Sequence, residues 1–236
     1  MGKIFLAAEW KNLIMANYTV AADVLAPFLP NKTELDVFNG KIFVSLVGFL
    51  FADTKVLGMK VPFHVNFEEV NLRFYVKHVE NGVEKRGVVF FKEIVPKAAI
   101  SFIANTLYRE KYCCMPMSSS CKHETELAVS YKWQFNRKWN SIEAVAEPVA
   151  IPIDAASEEE FIAEHYYGYS KFNSLKTYEY KVSHPRWKLY PIKNYRIDCD
   201  FEALYGKTFA FLQDAVLSSV FLAEGSAITV SDKRAL

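Results

Sequence analysis

The stretch Phe67-Glu68-Glu69-Val70-Asn71-Leu72-Arg73-Phe74-Tyr75-Val76-Lys77-His78, continued through Asn81-Gly82 into residues 83–93, decides the fold class. Successive side chains of a strand point to opposite faces. Glu68, Val70, Leu72, Phe74 and Val76 therefore share one face, and Phe67, Glu69, Asn71, Arg73 and Tyr75 share the other. The first face is a core and the second is unusually polar. Asn-Gly suits the two positive-φ positions of a tight hairpin turn, so the stretch reads as a β-hairpin.

Outward from this hairpin, Asn39-Gly40 carries the same turn signal, and residues 34–38 and 41–51 around it are rich in β-formers, which predicts a second hairpin. Before it, residues 10–30 mix helical spacing with stops at Pro27 and Pro30, giving a short helix over about 21–25. After the central hairpin, Pro96 opens a helix over about 97–109. Residues 127–137 alternate as a strand, and Ser157 with Glu160 resembles a capping box for a helix over 158–165. Short strands follow near 178–182, 187–190 and 196–200, then a helix or turn near Phe209 and a closing strand over 227–230. With no repeat and no long linker, residues 1–236 read as a single mainly β (α+β) domain.

Composition narrows the function classes. Thirteen Tyr and nineteen Phe favour pleated sheets over a helical bundle. With 28 Lys plus Arg against 27 Asp plus Glu, no strong field favours nucleic acid. The apolar stretch at the N-terminus is too short for a signal peptide, and residues 42–51 span about half of the roughly 20 residues a membrane helix needs. The expectation is a cytoplasmic protein with no membrane or nucleic-acid partner. Cys113, Cys114, Cys121 and Cys199 then read as reduced thiols. Cys113, Cys114, Cys121 and His123 hold the right atoms for a Cys₃His zinc site, but their spacing fits no common zinc pattern, so core thiols and a loop histidine are expected, with no metal or cofactor.

Three widely spaced features resemble the YqjF-like family, known as domain of unknown function 2071. They are Leu29-Pro30 with Leu35-Asp36-Val37-Phe38-Asn39-Gly40, Asn71-Leu72-Arg73-Phe74-Tyr75-Val76 with Gly87-Val88-Val89-Phe90, and His184-Pro185-Arg186-Trp187 with Ala223-Glu224-Gly225-Ser226. That family is similar in turn to acetoacetate decarboxylase, which implies a cone-like antiparallel β-barrel with a few short helices around a ligand cavity. The resemblance matches Phe67-Glu68-Glu69 to the enzyme's pocket-glutamate motif and Ala98-Ala99-Ile100 to the start of the helix that leads to its Schiff-base lysine. An ungapped register puts Lys111 at that lysine. A register fixed on Tyr108 puts Tyr112 there instead, and neither keeps the enzyme's Pro-Lys-Lys, since this chain reads Glu110-Lys111-Tyr112-Cys113.

A Schiff-base lysine must be neutral to attack, so its pKa must fall through burial or a nearby cation. Arg109 lies two residues from Lys111, although Glu110 adjoins it, and a solvated turn lysine is the plainer reading. Glu69, Asn71 and Arg73 on one strand face suit either a polar cavity wall that orients an anion or an exposed sheet face. His184 suits an acid, a base or a structural strut, and 118–120, all serine, reads as loop. The leading expectation is a cavity for a small anionic or carbonyl-bearing molecule such as a keto or carboxylic acid. In it Lys111 and Glu69 are the catalytic candidates, and Phe67, Asn71, Arg73 and Tyr112 bind the ligand. The alternatives are a keto-acid decarboxylase or other lyase acting through Lys111, and a structural or partner-binding domain with a filled interior.

Overall fold

The computed structural model describes residues 3–98 and 111–236. The helix expected over 97–109 and most of the motif Ala98-Ala99-Ile100 lie outside the described residues. In chain order the described elements begin with β1 (Ile4–Thr19), α1 (Ala22–Leu25), a 3₁₀ turn (Ala26–Phe28), β2 (Glu34–Leu35), β3 (Phe43–Val56), β4 (Phe67–Glu80) and β5 (Val83–Val95). They continue with β6 (Tyr112–Cys114), β7 (Met117–His123), β8 (Leu127–Phe135), β9 (Lys138–Ala146), β10 (Ile151–Pro152), α2 (Glu158–Ala163), β11 (Tyr167–Lys171) and β12 (Thr177–Ser183). The last are β13 (Lys188–Tyr190), β14 (Ile192–Asp198), α3 (Phe201–Tyr205), a second 3₁₀ segment (Lys207–Gln213), β15 (Leu217–Ser231) and β16 (Arg234–Ala235).

The main sheet runs β15-β1-β3-β4-β5-β11-β12, and β12 pairs back onto β15 through Val182–Val230 and Ser183–Thr229. Seven strands thus close a ring, which removes the free edges a sheet would otherwise expose. The junctions are antiparallel except β5–β11, where Tyr167 and Gly168 run parallel to Gly87 and Val88. This departs from an all-antiparallel barrel. Parallel strands need a long crossover, and here the chain leaves β5 and builds β6 to β10 and α2 before β11 returns.

A second sheet, β14-β9-β8-β7, packs on the outside of the ring. The sheets approach closely at Gly48 of β3, where an added Cβ would lie 2.9 Å from side-chain atoms of Tyr131 and Ile142. Val70, Leu72 and Phe74 of β4 join Val129, Tyr131, Trp133 and Ile142 in the core between the two sheets. The other face of β4 turns into the ring, where Phe67 and Tyr75 pack with Leu13, Met15, Phe49 and Phe51. Both faces of β4 are buried, so the polar face does not look onto solvent: Glu69, Asn71 and Arg73 are 2%, 1% and 8% exposed.

Asn81-Gly82 makes the expected turn, with φ of 52° and 76°. Asn39-Gly40 turns as expected too (φ 50° and 76°), but its flanks do not form a hairpin beyond the Phe38–Lys41 bridge. β3 already has β1 and β4 on its two sides, so β2 pairs with β4 instead, and the Asp36 N–H donates to Tyr75 O at 3.0 Å. Residues 118–120 are not loop: they lie in β7, an edge strand paired with β8. Cys114 and Cys121 are exposed rather than core thiols, while Cys199 is buried, and His123 sits on a strand, its Nε2 3.0 Å from Pro148 O. The capping-box helix stops at Ala163, and the closing strand is 15 residues long.

Candidate functional site

The ring encloses a cavity of about 180 Å³, below the roughly 300 Å³ at which drug-sized sites begin and suited to a metabolite of a few carbons. Alternation along β4 supplies one wall: Phe67, Glu69, Asn71 and Arg73 all line it. The facing register brings Phe49 beside Glu69 and Ser45 beside Arg73 on β3. On the other side β5 carries a bulge, since Leu72 pairs with Lys92 but Arg73 pairs with Phe90. Without the extra residue, Phe90 and Glu93 would fall on opposite faces; with it both line the cavity. Glu93 in turn sits beside Tyr112 in the β5–β6 pairing, which brings Tyr112 into the same wall.

These side chains form one buried polar patch. Glu69 accepts from Asn71 Nδ2 at 2.9 Å and from the Tyr112 hydroxyl at 3.0 Å. Burial raises the Glu69 carboxyl to about 7, against the lowering effect of those two bonds and of the Arg73 charge. The Arg73 guanidinium makes only weak contacts: Nε to the Tyr75 hydroxyl at 3.4 Å and Nη2 to Met15 Sδ at 3.7 Å. No carboxylate of the described residues lies within 4.0 Å of it. Tyr75 is anchored by donating to Ser45 Oγ at 2.7 Å.

A second polar group enters from outside β4. His165 follows α2, whose Ser157 cap accepts from Glu160 N at 3.1 Å, and it is held between the capping residue Glu164 and Tyr166, whose N–H donates to Arg86 O at 3.1 Å. His165 Nε2 lies 3.0 Å from Asp36 Oδ2, which also accepts from Arg86 Nε at 2.7 Å. Burial alone would push Asp36 up, but the bonds from His165 and Arg86 hold it below the usual carboxylate range. Burial pushes His165 down to about 4, with the Arg86 and Arg73 charges adding to the effect against Asp36.

Apolar and aromatic groups make the rest of the lining. Trp10 meets Phe49 edge-on at 5.4 Å and Trp187 at 6.1 Å, and His184 stacks on Trp187 at 4.3 Å. Four lining atoms, Trp10 Nε1, Thr54 Oγ1, Asn71 Oδ1 and His165 Nδ1, are buried without a hydrogen-bond partner among the described residues. More than nine in ten buried polar groups are normally paired, so four such atoms around one cavity are an unusual concentration of unmet hydrogen-bonding capacity.

Lys111 is exposed and is not among the lining residues; its carbonyl accepts from the Glu93 N–H at 3.1 Å. Tyr112, one residue on, turns inward. Among the described residues no lysine lines the cavity, and residues 99–110 contain none. The structure therefore gathers Phe67, Glu69, Asn71, Arg73 and Tyr112 and leaves Lys111 outside. Asp36, Arg86, Glu93 and His165 went unnoticed as site residues in the sequence. Asp36 and His165 are 129 positions apart, and no local pattern signals such a pair. Among the described residues no three His, Cys, Asp or Glu cluster to hold a metal, and no helix is long and apolar enough to cross a membrane.

Residues 7–227 match the family DUF2071, described as an uncharacterized conserved protein. The uncharacterized protein YqjF of Bacillus subtilis (strain 168) is 25% identical over 183 residues, covering 76% of this chain and 73% of that protein. Acetoacetate decarboxylase from Legionella pneumophila superposes with a TM-score of 0.65 at 10% identity, over 99% of this chain and 88% of that one. The enduracididine biosynthesis enzyme MppR complexed with pyruvate gives 0.68 at 11% identity, over 100% and 91%. At these identities the likeness establishes the acetoacetate decarboxylase-like fold alone.

Proposed function

We propose that this chain, which belongs to the DUF2071 family of uncharacterized conserved proteins, binds a small carboxylate, of the keto-acid or carboxylic-acid class, in the cavity of its ring. The observation that carries this reading is Arg73: a guanidinium 8% exposed, with no carboxylate of the described residues within 4.0 Å. Burying an unpaired charge costs several kcal/mol, and a ligand carboxylate, gripped by two parallel N–H bonds, offsets that cost directly. Glu69, held by Asn71 and Tyr112, is raised by burial to about 7, so at neutrality it carries only part of a charge toward the incoming anion. The aromatic wall takes the apolar remainder. MppR has been solved with pyruvate, which supports a ligand of this size in a cavity of this fold.

A Schiff-base lyase would need a lysine at the ligand, and the exposed position of Lys111 argues against it. A filled interior is disfavoured by the four unpartnered lining atoms.

Calorimetric titration with pyruvate, acetate and neutral acetone tests the proposal. Wild type is expected to bind the acids and not acetone, and Arg73→Met to weaken acid binding by about tenfold or more, the size of a hydrogen bond to a charged group. Thermal unfolding of the variant should be unchanged or raised, since a buried charge is removed. Acids that bind Arg73→Met as well as wild type would overturn the assignment. Borohydride reduction in the presence of pyruvate is expected to leave the mass of the protein unchanged, and an adduct on Lys111 would put the lyase reading first.

A further inference from the structure

We infer that His165 is a second recognition residue of this cavity, whose Nδ1 accepts a hydrogen bond from a hydroxyl or N–H carried beside the ligand's carboxylate, so that the preferred ligands are 2-hydroxy acids or their N–H counterparts. This rests on the carboxylate reading above. Nε2 faces the carboxylate of Asp36 at 3.0 Å, and a carboxylate that also takes the Arg86 Nε bond has no proton to give. Nε2 therefore carries the proton, and the lone pair of the neutral ring is at Nδ1. That atom is buried, on the cavity wall, and without a partner among the described residues.

The surroundings keep the ring in this state. Arg86 on β5 and Arg73 on β4 both disfavour a second proton, and Asp36, the opposing charge, is already engaged by Arg86. The ring packs against Tyr75 at 4.7 Å and Phe161 at 5.2 Å, which fixes its plane. Tyr75 is also the side chain whose hydroxyl touches Arg73, so the cation and the acceptor lie against one aromatic ring. A ligand seated on Arg73 through its carboxylate has its next carbon near this wall, and a donor on that carbon satisfies Nδ1. A ligand with a methylene there leaves the nitrogen unpaired.

The test compares lactate with propionate, which differ by one hydroxyl, by calorimetry. In wild type lactate is expected to bind about tenfold tighter. In His165→Leu the ratio should fall to about one while Arg73-dependent propionate binding persists. Asp36→Asn, which no longer fixes the tautomer, should also lower the ratio and serves if His165→Leu does not fold. In ¹⁵N-histidine-labelled wild type, Nδ1 of His165 should be the unprotonated nitrogen at neutral pH and should respond to lactate and not to propionate. If neither acid binds wild type, the carboxylate reading itself fails. If both bind equally, or if the lactate preference survives in His165→Leu, the role of His165 is overturned and the carboxylate reading stands.

Discussion

Glu69 and His165 face one cavity and respond to acid in opposite ways. Burial raises Glu69 from 4.5 to about 7, so the folded state holds its proton where the unfolded chain has lost it. Its contribution to stability is full below pH about 4.5 and is lost as the pH rises through 7. His165 is lowered from 6.5 to about 4, so the fold loses stability from this group as the pH falls from 6.5 through 4. The two overlap, and only a difference between variants separates them. Relative to wild type, Glu69→Gln is expected to gain up to roughly 3 kcal/mol between pH 5 and pH 8 in urea unfolding without ligand. A difference that stays flat over that range would mean that Glu69 is ionised in the folded protein. Arg73 belongs to the same scale: on the proposed reading its charge is buried for a ligand rather than for the fold, and its replacement should separate binding from stability.

At the scale of elements, the site depends on a bulge and on ring closure. The bulge between the Lys92 and Phe90 pairings turns Phe90 and Glu93 to the same side. Closure depends on Gly168 of β11, where an added Cβ would lie 2.1 Å from the ring of Tyr180, itself a cavity wall. Gly168→Ala should cost about 1–3 kcal/mol, the usual size of overpacking, and weaken carboxylate binding as Tyr180 shifts; unchanged unfolding and binding would show that β11 tolerates the shift. The alternation of β4 and its Asn81-Gly82 turn were legible in the sequence because one face is apolar and the other polar. β1 and most of β15 were not: residues 13–16 of β1 are buried on both faces and read as an apolar run without alternation, while Ser218, Ser219, Glu224, Gly225 and Ser226 break up the apolar residues of β15. The bulge leaves no mark in residue types. Glu69, Asn71 and Arg73 could be grouped from spacing along one strand, whereas the Asp36–His165 pair exists only once the chain is folded.

At the scale of the molecule, a seven-strand ring with a second sheet against its outer face puts the larger core between the sheets and a smaller one inside the ring, beside a cavity with a largely aromatic and aliphatic wall, a polar patch and one buried cation. The fold is that of acetoacetate decarboxylase-like proteins, while the position next to the exposed Lys111 presents a tyrosine to the cavity. The most direct measurement is a crystal structure of the protein soaked in pyruvate. The carboxylate is expected inside the ring, with its oxygens about 2.7–2.9 Å from the Arg73 guanidinium nitrogens. Pyruvate bound elsewhere, or inside the ring with its carboxylate turned away from Arg73, would contradict the account.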